Sequence, residues 1–301
     1  MIMQKKDAGG EMRKIFIVGS INTDLVIQAP YIPQSGETLI GSDFFMAHGG
    51  KGANQAVAAA RLGGNVTMCG CVGSDSFGDD AIQSLQKEGI DVSHVRKVKN
   101  ISSGTAMILI TNGDNRIILD KGANATLTKE DIDRTLEDAA SGDIYLTQLE
   151  NPIDIIGYGL MKAKEKEMYV ILNPAPADRA IEPFLGFCDV IVPNETELEI
   201  LGGKQTLLKK VPVVITTLGE KGYEISNAKK SVIYPCIKIK AVDTTAAGDT
   251  LCGGMAARLA KGYPLEDAAK FGSVAASIAC TRKGAQPSIP TIMEIERERF
   301  K

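Results

Sequence analysis

Short runs of apolar, often β-branched residues alternate with helical patterns along this chain, and that alternation limits the fold more than any other feature of the sequence. The runs predicted as strands are 14–19, 66–72, 144–146, 168–172, 190–192 and 213–217, and each is apolar on both faces, as parallel strands covered by helices are. Helical patterns lie between them at 52–62, 78–88, 128–138, 153–164 and 195–201, and more follow at 249–261, 265–281 and 291–300. The sequence therefore predicts an α/β fold with a central, mostly parallel sheet flanked by helices.

Two insertions interrupt this alternation. The first contains strand-like pieces at 25–29 and 38–45, and the second is a hairpin of 106–111 and 116–119 joined by the turn-forming run 112–115. Together these pieces would make a small second sheet, whose natural use is a mobile lid over a binding site. A further hairpin is expected at 222–226 and 231–234. We thus expect a loose tail at 1–13 and one α/β domain at 14–301, with a lid from about 24–46 and 104–120.

Composition excludes several classes of protein. The 301 residues are 44% hydrophobic and 24% charged, which is typical of a soluble protein with a large core. The net charge of −3 disfavours nucleic acid as the main partner, and the lack of a long apolar run disfavours a membrane span. The six Cys are scattered, so we expect buried, reduced thiols in a cytoplasmic protein, with Cys69 and Cys71 on one face of a strand.

The end of the first strand, 19–24, carries two polar residues two positions apart. If the chain stays extended, Asn22 and Asp24 point the same way, and an amide beside a carboxylate suits vicinal hydroxyl groups. An Asx turn leaving the strand explains the pair equally well. The segment has only one glycine and is not a dinucleotide fingerprint, which argues against a dehydrogenase.

Glycines at 49, 50 and 52 precede an Ala-rich helix. They would let a ligand approach the backbone, while Lys51 offers a charge and Asn54 lies in the first helical turn. The segment is not a Walker A loop, because Gly52 follows Lys51 where Ser or Thr is needed. Close packing of small residues is the alternative explanation.

The strongest local signal is the segment 243–250, which opens a long helix. Ala246, Ala247 and Gly248 leave successive backbone N–H groups uncovered where a helix begins, and a phosphoryl group binds well there. Asp249 follows in the first turn. A helix cap by Asp243 or Thr245 is the alternative, but it does not explain three small residues between two acids.

The segments 49–54 (GGKGAN) and 243–249 (DTTAAGD) resemble the two signature motifs of the ribokinase (PfkB) family of carbohydrate kinases, and the likeness runs from residue 14 to residue 290. It implies that Asp249 is the catalytic base and that Ala246, Ala247 and Gly248 form an anion hole for the transferred phosphoryl group. It also implies a set of residues that bind sugar hydroxyls, namely Asn22, Asp24, Gly50, Lys51, Asn54 and Glu150.

The same resemblance implies sites for ATP, Mg²⁺ and an activating monovalent cation, usually K⁺. Asn194 and Glu197 match a motif near Mg²⁺ and the phosphates. The nucleotide loop matches Thr217, Leu218, Gly219, Glu220 and Gly222, and Ser273 stands beside the adenine where relatives often carry Asn or His. The loops around the cation match Asp243, Thr245, Ala279, Arg282, Gly284 and Ser288, largely through backbone oxygens. A homodimer formed through the lid is implied as well.

The residues narrow the substrate. No Lys or Arg occurs from Ser20 to Gly50, so nothing there would pair with a phosphate on the acceptor, and 5% aromatic residues offer few faces for a nucleoside base. These residues favour a free pentose. With the family resemblance, we expect transfer of the γ-phosphate of ATP to the 5-hydroxyl of D-ribose, with Asp249 staying ionised near its helix N-terminus. The alternatives are deoxyribose, another free sugar or a nucleoside, and then a non-catalytic sugar-binding protein.

Overall fold

The computed structural model describes residues 12–112 and 114–298. In chain order its strands are β1 (Lys14–Val18), β2 (Asn22–Gln28), β3 (Ser42–Gly49), β4 (Asn65–Gly73), β5 (Asp91–Val98), β6 (Gly104–Thr111), β7 (Asp114–Asp120), β8 (Ile144–Thr147), β9 (Tyr169–Leu172), β10 (Val190–Ile191), β11 (Val213–Thr217), β12 (Tyr223–Asn227) and β13 (Ser231–Tyr234). Its α-helices are α1 (Lys51–Arg61), α2 (Ser76–Lys87), α3 (Lys129–Thr135), α4 (Ile153–Glu165), α5 (Glu195–Ile200), α6 (Lys204–Leu207), α7 (Ala247–Ala260), α8 (Leu265–Ala279) and α9 (Ile292–Glu298).

The main sheet has the strand order β13-β12-β11-β10-β9-β8-β1-β4-β5. All strand pairs from β11 across to β5 are parallel, and only the pairs β11–β12 and β12–β13 at one edge are antiparallel. The predicted fold is confirmed. Strand β5 was not predicted, because its sequence is largely polar and its side chains are at most half-buried at the sheet edge.

A second sheet has the order β3-β2-β6-β7. Its strands come from the two insertions, but the predicted bounds in the first insertion are wrong. Strand β2 begins three residues early because Asn22 already pairs with Gly49 on β3 and with Gly104 on β6, and residues 38–41 form no strand. Gly113, within the predicted turn, lies outside the described residues.

The helix predictions hold with shifted ends. Helix α3 stops at Thr135, three residues before the predicted end, and α7 starts at Ala247, two residues before the predicted start. The predicted tail at 1–13 and the end of the last helix fall mostly outside the described residues.

Two hydrophobic clusters cover the two faces of the main sheet. Ile15 and Ile17 of β1 face the cluster that includes α1, α7 and α8, while Phe16 and Val18 face the one that includes α3 and α4. The second cluster also contains Cys69 and Cys71, as expected for residues two apart on a strand. The expectation of buried thiols is wrong for Cys236 and Cys280, which are half-buried: Cys236 follows β13, and Cys280 caps the C-terminus of α8. None of the described helices is long and apolar enough to cross a membrane.

Candidate active site

Helix α7 begins with uncapped backbone amides. No side chain caps Ala246, and the N–H groups of Gly248 and Asp249 have no acceptor among the described residues. The N–H of Ala247 donates to the carbonyl of Thr244 at 3.2 Å, so the expectation of a free amide at Ala247 needs correction. Gly248 is exposed, and a β-carbon built on it would meet nothing within 4 Å. The alternative of a helix cap by Asp243 or Thr245 is therefore wrong. Free N–H groups beside open space at a helix start can bind an anion.

Asp249 lies directly beside these amides and is only 5% exposed. Its two carboxylate oxygens accept hydrogen bonds from Asn54 Nδ2 at 3.0 Å and from Gln55 Nε2 at 2.9 Å. Burial, the largest influence, raises its pKa, while the charge of Lys51 and the two amide donors act in the opposite direction. The expectation of an ionised Asp249 considered only the helix N-terminus, and it needs the correction that burial raises the pKa overall.

Acidic groups and one lysine converge beside Asp249. Burial, together with the charges of Glu150 and Asp249, raises the pKa of Asp24 to about 7. Burial would lower the pKa of Lys51, but Asp249 and Glu150 outweigh it and the net shift is upward. Glu150 accepts hydrogen bonds from the backbone N–H of Lys51 at 3.2 Å and from the hydroxyl of Ser20. We call the place where Asp24, Lys51, Glu150 and Asp249 meet the cleft, and its several hydrogen-bond acceptors suit a polyhydroxylated ligand.

The glycines before α1 allow two chain segments to meet at this cleft. Gly50 has φ +88°, and a β-carbon there would lie 2.7 Å from the backbone N of Asn22. A β-carbon on Gly52 would lie 2.7 Å from the Cα of Gly19. Glycine is thus needed at both positions for close packing, so the packing explanation holds alongside any binding role.

Asn22 and Asn54 offer polar atoms to the cleft. Asn22 is extended within β2, so the Asx-turn alternative is wrong, and its Oδ1 accepts a hydrogen bond from Asn124 Nδ2 at 2.8 Å. The Oδ1 of Asn54 is buried and has no partner within the described residues. A buried acceptor without a partner is costly, and a ligand hydroxyl donating to it would remove that cost.

The predicted nucleotide residues lie at the ends of β10 and β11. Asn194 and Glu197 form a capping box at the start of α5, with N–H to oxygen distances of 2.9 and 2.8 Å, and Asn194 bridges to Thr217. Burial raises the pKa of Glu197, while the charge of Lys51 lowers it and that of Asp249 raises it. Glu197 is therefore close enough to the cleft to sense its charges.

After β11 the chain makes a tight turn through Leu218, Gly219 and Glu220 to Gly222. The N–H of Leu218 donates to the carbonyl of Gly222 at 2.9 Å, and Gly222 has φ +102° with no room for a β-carbon beside the carbonyl of Tyr234. Ser273 is buried in α8, and no hydrogen bond in the described part of the chain connects it to this turn.

The predicted cation loops are connected through Asp243. Its carboxylate accepts hydrogen bonds from the N–H groups of Thr245 and Gly284, both at 2.9 Å. Burial raises the pKa of Asp243, but these hydrogen bonds outweigh burial, and the net shift of the pKa is downward. Among the other predicted positions, Ser288 donates to the carbonyl of Ala285, Arg282 N–H donates to the carbonyl of Ala279, and the Arg282 side chain pairs with Glu294.

Within the described ranges, these loops lack the set of side-chain ligands that a transition metal needs. No group of three or more His, Cys, Asp or Glu side chains that could hold a metal occurs among residues 12–112 and 114–298. Asp243 is the one carboxylate among the predicted cation positions, and the hydrogen bonds that it accepts from Thr245 and Gly284 join the two loops.

Four polar residues at the site were missed by sequence reasoning. Gln55, Gln148 and Asn173 join Asp249 in a buried network, and Asn124 holds the chain at Ile21 and Asn22. Gln55 and Gln148 stand next to predicted site segments, a signal that could have suggested them. Asn124 and Asn173 lie in no recognised motif.

A buried carboxylate in a polar cleft, next to bare amides at a helix start, is what a phosphotransferase acting on a hydroxylated small molecule requires. Residues 12–292 match the model of the pfkB family carbohydrate kinase. The chain therefore belongs to the pfkB family of carbohydrate kinases.

Individual relatives agree with that family. The ribokinase of Haemophilus influenzae is 42% identical over 298 residues, covering 94% of this chain and 97% of the relative. The deoxyribokinase of Salmonella typhi is 38% identical over 293 residues, covering 92% of this chain and 96% of the relative. The structure of Arabidopsis thaliana ribokinase complexed with ribose and ATP superimposes with a TM-score of 0.84 at 28% identity. The match covers 95% of this chain and 98% of that one.

Proposed function

We propose that this protein transfers the γ-phosphate of ATP to the 5-hydroxyl of D-ribose. The observation that carries the proposal is the position of Asp249, buried beside the uncapped N–H groups at the start of α7 and in contact with Asn54. A carboxylate that receives the hydroxyl proton and amides that hold the phosphoryl oxygens are thereby adjacent. The Haemophilus influenzae ribokinase and the ribose-bound Arabidopsis thaliana ribokinase support the choice of sugar.

In the proposed reaction the sugar 5-oxygen attacks the γ-phosphorus while the bond from that phosphorus to the bridging oxygen of ADP breaks. Asp249 aims the hydroxyl and accepts its proton, and the N–H groups of Gly248 and Asp249 stabilise the charge on the equatorial oxygens. Asn22, Asp24, Lys51, Asn54 and Glu150 would hold the remaining hydroxyls.

Mg²⁺ would neutralise charge developing on the phosphates. We assign Glu197 and Asn194 to positions near this ion. The turn from Thr217 to Gly222 would hold the nucleotide. For the activating K⁺ we assign the loops joined by Asp243 and Gly284, whose contact is direct.

Deoxyribose is the second candidate substrate, because the Salmonella typhi relative is a deoxyribokinase at similar identity. The two sugars differ by one hydroxyl, and each acceptor in the cleft suits either. Phosphorylated sugars are disfavoured, because the segment from Ser20 to Gly50 carries no cation to pair with a second phosphate.

We further propose that the four-stranded sheet is a lid within a single domain and also the interface of a homodimer. Apolar side chains are exposed on both of its faces: Phe45 and Ile117 share the face of Asp24, and Met107 and Ile118 lie on the other. Separate Ile117→Lys and Ile118→Lys variants, studied by sedimentation equilibrium, would show which face associates; a wild type that sediments as a monomer contradicts the dimer. The free thiols suit the cytoplasmic location that we propose.

The test of the proposed function is a panel of substrates with ATP and Mg²⁺, measured by ADP release and by phosphorus NMR of the product. D-Ribose, 2-deoxyribose, fructose, fructose 6-phosphate and adenosine would be compared at equal concentration. We expect the highest kcat/KM with D-ribose. Preference for 2-deoxyribose would select the second candidate, and consumption only of adenosine or fructose 6-phosphate would refute both.

A further inference from the structure

A chain of three buried amide side chains connects Asp249 to the ends of the central strands. Gln55 Nε2 donates to Asp249 Oδ1 at 2.9 Å and also to Asn173 Oδ1 at 3.1 Å. Gln55 Oε1 accepts from Gln148 Nε2 at 2.7 Å. Gln55, Gln148 and Asn173 are 0%, 1% and 7% exposed, so solvent does not compete for these bonds.

One backbone carbonyl determines how the three side-chain amides of Gln55, Gln148 and Asn173 are oriented. Asn173 Nδ2 donates to the carbonyl of Val192 at 2.9 Å, and a carbonyl can only accept. Asn173 must therefore turn its Oδ1 towards Gln55, and Gln55 must present its NH₂ group to both Asn173 and Asp249. Reversing the Gln55 amide would place its oxygen against the carboxylate, which is unfavourable.

Both hydrogens of Gln55 Nε2 are used within the protein. None is left to donate to a sugar, so Gln55 does not act on the substrate directly. Together with Asn54 on the other oxygen, it fixes the plane of the Asp249 carboxylate while each oxygen keeps a lone pair free.

We propose that Gln55, held by Asn173 and Gln148, is a positioning residue that aims the Asp249 carboxylate at the reacting hydroxyl. This inference rests on the proposed function for its kinetic consequence. The contacts that hold the carboxylate exist in the free enzyme, so they can be tested without any substrate.

Replacing Gln55 by an uncharged residue removes no charged group near Asp249. The charged groups there are Lys51 of α1, Glu150 after β8, Asp24 of β2 and Glu197 of α5, with the thiol of Cys252 on its own helix. A change in Asp249 titration on removing the Gln55 amide thus reports the lost hydrogen bond.

The test compares Gln55→Met, which keeps the side-chain size, with wild type. We expect kcat for the sugar to fall tenfold to a hundredfold, since a small misplacement of a reacting group has effects of that order. We expect KM to change less than threefold. The acid limb of the kcat/KM profile should move to higher pH, because a donor to the carboxylate is gone.

Three further variants and one NMR titration keep the proposal falsifiable. Asn173→Leu should lower kcat as Gln55→Met does. The variant carrying both substitutions should be no slower than Gln55→Met alone, because both act through the same amide. If Gln55→Met does not fold, Asn173→Leu alone tests the proposal. Thr135→Val is the matched control, since it removes a buried side-chain hydrogen bond in α3 far along the chain. Carbon-13 NMR of the Asp249 carboxyl in the free enzyme should show a higher pKa in Gln55→Met.

A folded Gln55→Met enzyme with wild-type kcat and wild-type Asp249 titration would overturn the proposal, as would losses no larger than those of Thr135→Val. If wild type phosphorylates no free sugar, the proposed function fails, and the NMR titration still decides whether Gln55 holds the carboxylate.

Discussion

Gly49 lies so close to Asp24 that a β-carbon at position 49 would overlap both oxygens of the Asp24 carboxylate. The two residues are diagonal neighbours on one face of the sheet, because Gly49 of β3 pairs with Asn22 and Asp24 lies two positions further along β2. The absence of a side chain at 49 is thus what makes room for a carboxylate in the cleft.

Replacing Gly49 by Ala should displace the Asp24 carboxylate and weaken sugar binding. We expect the KM for the sugar to rise at least tenfold and stability to fall by about 1–3 kcal/mol, the usual cost of overpacking. Steady-state kinetics and thermal unfolding would measure both. Gly186→Ala is the matched control, since a β-carbon there meets nothing within 4 Å and should leave both unchanged. A normal KM in Gly49→Ala would remove Asp24 from the binding site.

Asp249→Asn should retain sugar binding while turnover falls by about 10²–10⁴-fold, because the proton acceptor is lost together with one of the two hydrogen bonds from Asn54 and Gln55. Binding would be followed by calorimetry and turnover by ADP release. Asn54 and Gln55 would still face a polar side chain of the same shape. Turnover close to wild type would show that Asp249 is not the base.

Gly248→Ala should separate activity from stability. The added methyl enters open space, and Ala is favoured over Gly in a helix by up to about 1 kcal/mol, so the melting temperature should stay the same or rise. If that space holds the phosphoryl group, kcat should fall at least tenfold. An Ala variant as active as wild type would place the phosphoryl group elsewhere.

The raised pKa of Asp24 predicts that the free enzyme loses stability as pH rises. The folded pKa of about 7 lies above the ordinary 3.8, so the folded protein holds this proton more tightly than the unfolded chain does between those values. The free energy of unfolding should therefore fall between about pH 4 and pH 7, and Asp24 should contribute at most about 4 kcal/mol to that fall. Asp24→Asn should flatten the dependence and be the more stable protein at pH 8. Parallel unfolding curves for the two proteins from pH 4 to 8 would contradict the shift.

K⁺ should raise activity above that in Na⁺ or without added salt. In Asp243→Ala the hydrogen bonds to Thr245 and Gly284 are lost, so the two loops should separate and the K⁺ stimulation should disappear. ADP release measured with each chloride salt, at constant ionic strength, checks this. Equal wild-type rates in all three conditions would refute the cation site.

The sequence by itself determined the alternation of strands and helices, the parallel sheet and the segment 243–249, because periodicity and small residues at a helix start are local properties. Only the tertiary structure decided the early start of β2, the burial that raises the pKa of Asp249, and the amide chain that holds it. Gln55 and Asp249 are 194 positions apart, and Gln55 and Asn173 are 118 apart. Contacts at such separations depend on how the strands and helices pack, and no local pattern in the sequence encodes that packing.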